Sequence, residues 1–345
     1  MAPSLLVLPS TTPTLLAVVV ALVIGPVAPV HAEAQSLGPL ASEDGAPLHR
    51  VGLTAPAESA DPVAAGEIRW SLGLAYSNIF EQDSTATHVL MVDMERLIKT
   101  AQVRVGLSDR LEVGGRLTFE TTGGGVLDGF VSWWHTRVGA GNANREFFAE
   151  GEYDQRLETG SERTVLDVPR RTASLEDVRI FAKWLLAGGE DSSRALGLRA
   201  SARLPTSPES QLRERPDVGL SVLSRLSGTR WHGHAMLGMT TVNAISRLGP
   251  GFFRDRAYHG LVGAERSLGT RLAAVVQYHV SSPILASFEH RELEGLSANL
   301  IFGVAGRVGD TWRWEASFQE DVPADTPAPD FTLGLRVSRA WAPRP

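Results

Sequence analysis

Alternation with a period of two residues runs through most of this chain and decides what it can fold into. From Phe331 to Trp341, Phe331, Leu333, Leu335, Val337 and Trp341 fall on one face, and Thr332, Gly334, Arg336, Ser338 and Ala340 on the other. Successive side chains of a β-strand point to opposite sides, so this is a strand with one apolar and one polar face. Ile68, Trp70, Leu72, Leu74 and Tyr76 repeat the pattern. So do Leu97, Ala101, Val103, Val105 and Leu107, which lead into the polar turn Ser108–Arg110, and Leu111, Val113, Leu117 and Phe119, which leave it. Pairing Leu107 with Leu111 keeps every apolar residue of both strands on one side. Further alternating segments at about 176–187, 194–205, 217–227, 230–241, 257–268, 270–281, 295–307, 310–320 and 330–341 bring the total to about twelve strands.

The connections sort by length. Short ones are Ser108–Arg110, Ala187–Ser193, Ser227–Arg230, the neighbourhood of Gly269, and Val308–Gly309. Long ones are Glu81–Met94, Thr122–Leu175, Pro205–Pro216, Val242–Arg256, Ser282–Glu294 and Asp321–Asp330, and the two kinds alternate along the chain. Short periplasmic turns opposite long extracellular loops are the pattern of a transmembrane barrel, and a soluble sandwich has no reason for it. The aromatics agree. Trp70, Trp184, Trp231, Trp312 and Trp341 gather at the short-turn ends of the apolar faces, and Tyr76, Phe119, Tyr258, Tyr278, Phe318 and Phe331 at the opposite ends. Two such belts are what amphipathic rings form at the two interfaces of a bilayer. The expected fold is all-β: a transmembrane antiparallel β-barrel of about 12 strands spanning residues 67–341. Its closing strand, carrying Phe331, Leu333, Leu335, Val337 and Trp341, is the expected assembly signal for the barrel-assembly machinery, and outer-membrane lipids are the expected surroundings.

Composition narrows the function. A net charge of −6 leaves no basic footprint for nucleic acid. The absence of cysteine excludes disulfides, thiol catalysis and lipid attachment at cysteine. After the N-terminus no apolar run approaches the roughly 20 residues that a membrane helix needs. Leu15–Ile24 is an unbroken apolar run, followed by Gly25-Pro26 and Val30-His31-Ala32, which is the form of a signal peptide cleaved after Ala32, although Lys and Arg are missing from its start. Residues 1–32 are therefore expected to be removed on export to the bacterial outer membrane. Residues 33–66, rich in Ala, Pro, Gly and acid and without periodicity, are expected to be a periplasmic N-terminal linker, disordered or tucked into the barrel mouth. In the large extracellular loop at about 122–175, Val126, Leu127, Phe130, Val131, Trp134 and Val138 recur at helical spacing, so a short amphipathic helix is expected there. It would cap the mouth, enter the lumen or rest on the outer leaflet.

The face opposite the apolar one carries Arg69, Arg104, Arg116, Arg179, Lys183, Arg199, Arg203, Arg313 and Arg336 against Glu112, Glu120 and Glu315. These residues would line a cationic lumen. Either they fill it by bridging carboxylates and carbonyls, or they flank a narrow path for small anionic or amphipathic solutes. A hairpin pivoting at Gly269 would set His259 directly across from His279 near the outer mouth. Such a pair would be within reach of a transition metal or a pH response, yet no third ligand is evident, so no metal or other cofactor is expected. His232 and His234 invite the same reading. Ser281 and Ser282 beside His279, with Asp255 near His259, are the only approach to a hydrolytic triad, which leaves an envelope-lipid hydrolase as an alternative to a pore. A structural or envelope-biogenesis barrel with a filled lumen is the other.

Several short segments look familiar. Phe318, Glu320-Asp321 and Ala328-Pro329-Asp330-Phe331-Thr332-Leu333 make the most specific block. Gly106-Leu107 with Asp109-Arg110-Leu111-Glu112, Leu127-Asp128-Gly129-Phe130 with His135, and Leu204-Pro205-Thr206 are weaker matches. Pro47-Leu48 and Gly52-Leu53 form a degraded opening in which Glu43-Asp44-Gly45 replaces expected amide residues. In these the chain resembles the domain-of-unknown-function family 3187, predicted outer-membrane proteins of Gram-negative bacteria. The resemblance implies the fold and the location and carries no activity with it.

Overall fold

In the computed structural model the alternating segments are strands, and the two-residue period explains which side each residue takes. The structure describes residues 36–42, 50, 52–85, 88–138, 145–159, 163–167, 170–176, 178–189, 192–206, 215–243, 253–286, 294–322 and 328–341. The expected signal peptide, Glu43-Asp44-Gly45 and Pro47-Leu48 lie outside them. The strands are β1 (Ile68–Ser84), β2 (His88–Ser108), β3 (Leu111–Gly123), β4 (Asp154–Thr159), β5 (Arg163–Asp167), β6 (Ser174–Leu175), β7 (Val178–Gly188) and β8 (Arg194–Leu204). They continue with β9 (Asp217–Ser227), β10 (Trp231–Thr241), β11 (Arg256–Ser267), β12 (Leu272–Ser281), β13 (Ser297–Val308), β14 (Trp312–Asp321) and β15 (Phe331–Trp341).

Twelve of these form a closed antiparallel ring, in the order β1, β2, β3, then β7 through β15 and back to β1. The seam between first and last strands is continuous from Ile68 opposite Trp341 to Asn78 opposite Phe331. Closure satisfies every edge, which a barrel in lipid requires. Outside, Leu72, Leu74, Ile180, Val218, Leu220, Val276 and Leu335 remain 46–59% exposed and form a continuous apolar belt. An apolar surface of that extent is stable against lipid and not against water. Trp184, Trp231 and Trp341 stand out from it at the short-turn end, and Trp70 packs edge-on against Trp312 at 5.5 Å.

Four expectations need correction. Glu81–Met94 is not a loop: β1 runs on to Ser84 and β2 begins at His88. The prolonged hairpin turns Ile79, Leu90, Val92 and Met94 inward, where they meet Leu157, Val242, Ala257, Ile284 and Leu285. An apolar cluster therefore reaches across the outer mouth, and β4 extends the hairpin by pairing with β2. Second, the β2–β3 register is as expected from Val105–Val113 upward, but Leu107 itself bulges and leaves Ser108 opposite Leu111. Third, the β11–β12 turn is longer than a pivot at Gly269. Leu268 N donates to Leu272 O at 2.8 Å, so each residue of β12 meets a partner two positions away from the expected one. His259 lies opposite Ser281, and His279 opposite Leu261. A shift of two keeps both histidines inward, where a shift of one would have turned them out.

The fourth concerns Phe331, which is expected in the lipid-facing outer belt and is buried instead. The helix α1 (Asp128–Val138) lies against the outward face of the strand ends. Phe130 meets Phe331 at 5.4 Å, Trp134 meets Phe318 at 5.6 Å, and Phe318 meets Phe331 at 4.9 Å. Of the three places open to this helix, it takes the outer surface of the wall at the long-loop end.

Candidate functional site

The lumen is occupied by the segment expected to be a linker. Its described residues form a hairpin of two limbs: residues 36–42 rise from the short-turn end toward the mouth, and residues 52–66 return to start β1. At its base, Glu265, near the short-turn end of β11, accepts Leu37 N and Gly38 N, each at 2.7 Å, and Ser36 Oγ at 2.7 Å. Higher up, Gln277 exchanges bonds with the backbone of Leu40, and Ala41 N donates to Glu315 at 2.9 Å. Near the top, Arg50 donates to both oxygens of Glu176 at 2.7 Å, and Arg203 donates to Arg50 O and Gly52 O at 2.8 and 2.7 Å. On the way down, Arg179 reaches Thr54 Oγ1 at 3.2 Å, and Glu58 lies between Arg199 at 3.4 Å and Lys183 at 3.7 Å. Arg225 pairs with Asp61, Val63 N donates to Glu112 at 2.7 Å, and Gly66 N reaches Gly106 O. Ala57 N donates to Ser42 O at 3.0 Å and joins the two limbs.

This packing explains the wall on both sides of the charge question. Bare wall glycines make room for the hairpin: a Cβ on Gly106 would overlap the carbonyls of Val63 and Ala64, and one on Gly197 would sit 2.9 Å from Ala60 O. The cationic residues supply what the hairpin's carbonyls and carboxylates need. Lys183, fully buried, also sits 3.5 Å from Glu112 and donates to Ser59 O at 3.2 Å. Buried charges of this kind are tolerable only when paired. Of the remaining residues named from sequence, Arg69 pairs with Glu67, Arg104 with Glu112, Glu120 with Arg96 and Arg313 with Glu315, while Arg116 and Arg336 border a residual crevice. Arg116, Arg179 and Arg203 face one another across β3, β7 and β8 as a ladder of three cations. Burial would push the Glu176 carboxyl up, but Arg50, Arg179 and Arg203 hold it well below the usual range.

Five contributors escape the sequence reading: Arg96, Arg225, Glu265 and the hairpin's own Glu58 and Asp61. The first three sit at inward positions of the same alternation, so parity alone would have found them. Glu58 and Asp61 belong to a segment with no period at all. The histidine pair does not form. His259 Nδ1 lies 3.0 Å from Ser281 Oγ and its Nε2 3.2 Å from Thr240 Oγ1, while His234 Nε2 is 3.2 Å from Glu265 and His232 Nε2 3.3 Å from Ser267 Oγ. Among the described residues no group of three or more His, Cys, Asp or Glu side chains is placed to hold a metal ion.

A second polar cluster lies outside, beneath and beside α1. Asp128 accepts Asn78 Nδ2 at 2.8 Å and Arg145 at 2.9 Å, and Arg145 reaches Asp330 at 2.6 Å. His135 lies 3.3 Å from Glu320, and this neighbouring carboxylate raises the imidazole pKa. Asp128, Phe130, His135, Phe318, Glu320, Asp330 and Phe331 all come from the segments that carry the family resemblance, and they converge here on the outer ends of β1, β14 and β15. The sequence matches the family described as "Protein of unknown function (DUF3187)" over residues 15–341. The chain belongs to the DUF3187 family.

No curated protein matches this DUF3187 chain in sequence. Among solved structures it is similar to the CymD monoaromatic hydrocarbon channel, with 9% identity, TM-score 0.41 and coverage of 81% of this chain and 90% of that one. It is similar to the NanC porin at 7% identity and TM-score 0.44, over 79% of this chain and 98% of that one. The toluene transporter TodX of Pseudomonas putida is similar at 9% identity and TM-score 0.38, over 80% and 89% of the two chains. Identities this low do not carry any of their cargoes over to this chain.

Proposed function

We propose that this DUF3187 protein is an outer-membrane pore for small anionic or amphipathic solutes, held shut in the present state by its own N-terminal hairpin. The observation that carries the reading is the double use of the wall cations. Arg179, Lys183, Arg199, Arg203 and Arg225 hold the hairpin now. With the hairpin gone, the same side chains would border a water-filled path and favour anions in it. Both ends of the hairpin lie at the short-turn rim, taken here as periplasmic, so it can withdraw without threading through the barrel. Export by a cleaved signal, assembly by the barrel machinery and contact with outer-membrane lipids belong to the same proposal.

The apolar cluster across the mouth favours a second reading, a structural barrel that never opens. A hydrolase has less support, because Ser281 and His259 are both buried. Planar-bilayer recordings separate pore from scaffold. A variant lacking residues 36–62 is measured with the mouth intact and with Leu90→Ser and Ile284→Ser. Conductance is expected, with a reversal potential in a salt gradient that shows anions preferred over cations. A heat-modifiable, folded barrel that stays silent in both backgrounds would establish the scaffold, and cation preference would overturn the anionic assignment.

A further inference from the structure

The hairpin does not fill the lumen evenly. Ala55, Ala57 and Ala60 pack against Leu185, Leu223, Met236 and Leu261, and Leu37 and Leu40 against Ala273, Val275, Ile301 and Ala305. These partners come from β7 and β9–β13. On the opposite side the inward residues are small and mostly polar, among them Gly73, Ser77, Thr100, Ser317, Thr332 and Gly334. A crevice of about 100 Å³ remains between them and the hairpin, with room for several waters or one small solute.

Arg336 borders this crevice. Its Nη2 donates to Ser71 Oγ at 3.0 Å and to Gln102 Oε1 at 3.2 Å, both neutral acceptors. The carboxylates nearby are already engaged: Glu315 by Arg313 and Ala41 N, and Glu58 by Arg199 and Lys183. Of the other cations that border the crevice, Arg50 is taken by Glu176 and Arg116 is engaged as well. Among the described residues Arg336 has no ion pair, and its Nε and Nη1 have no protein partner. An enclosed guanidinium without an anion is costly, and its planar fork matches two oxygens of one ligand.

We infer that the crevice is a binding site for a small oxyanion, a carboxylate or phosphate, held by the Arg336 guanidinium with Gln102 and Ser71 fixing its plane. The site deepens the pore reading by naming what the lumen recognises, since an anion that occupies it has passed the rim. It exists with the hairpin in place, so binding can be tested without conductance.

Isothermal titration calorimetry of the full chain in detergent, with sodium acetate or sodium phosphate as titrant and sodium chloride as the reference, tests it. Saturable heat from one or both oxyanions is expected, and which of them binds assigns the class. Arg336→Gln is expected to weaken binding tenfold or more, and Arg336→Lys, which keeps the charge but loses the fork, less. Both variants should keep heat-modifiable migration and the wild-type melting temperature within a few degrees. Absence of saturable heat in the wild type, or unchanged affinity in a folded Arg336→Gln protein, overturns the site. Failure of the pore reading shows instead as silence in bilayers and leaves this titration unaffected.

Discussion

Glu265 shows how a single side chain sets the position of the hairpin. It is buried, it accepts two backbone N–H groups and a hydroxyl at 2.7 Å, and His234 stands 3.2 Å behind it. Hydrogen bonds to a charged acceptor are worth about 1.5–3 kcal/mol. Glu265→Gln keeps the shape but turns one acceptor into a donor facing N–H groups. The hairpin base should loosen by at least one such bond, roughly a tenfold gain in opening. Maleimide labelling of an Ala55→Cys reporter, in a chain with no native cysteine, should accelerate accordingly; labelling at the wild-type rate would refute the anchor. Parity would have been enough to place Glu265 and Arg225 inside, although neither was singled out, because a strand gives every residue only two choices. It was silent on Glu58 and Asp61, since a segment surrounded by wall on all sides has no solvent face to generate a period.

At the level of elements, strands were the most legible parts and turns the least. The alternating faces located all twelve ring strands, but the β11–β12 pairing depended on a turn whose length no pattern reveals, and His259 met Ser281 in place of His279. The helix α1 was visible from its spacing, whereas its resting place was decided by aromatic partners far away in sequence, Phe318 and Phe331. Its contact with the wall should depend on pH. The Glu320 carboxylate 3.3 Å away raises the His135 pKa above the ordinary 6.5, with burial opposing it. A raised folded-state pKa contributes stability that is complete below pH 6.5 and is lost as pH rises through the folded value. Tryptic cleavage after the exposed Arg137 reports on it. Wild type should resist cleavage better than His135→Gln at pH 6.5, and the difference should narrow as pH rises. A difference independent of pH would remove His135 from the contact.

For the whole molecule, three closures act together: the β1–β15 seam, the apolar cluster across the mouth, and the hairpin in the lumen. The seam and the lipid-facing belt follow from alternation and could be read in advance. The hairpin could be read only in part: its small residues and prolines look like those of a disordered linker, a segment tucked into the mouth was the other reading, and only a lumen lined by bare glycines and cations tells the two apart. A lock tests it most directly. A Cβ placed on Gly238 would lie 3.4 Å from the Ala55 Cβ, close to the spacing of a disulfide. The decisive measurement is single-channel conductance, on the Leu90→Ser, Ile284→Ser background, of the oxidised Ala55→Cys, Gly238→Cys protein beside the variant lacking residues 36–62. The hairpin as plug requires the oxidised protein to be silent, the deletion to conduct, and reduction of the lock to restore openings. An oxidised protein that conducts as well as the deletion, or a folded deletion that does not conduct, would contradict it.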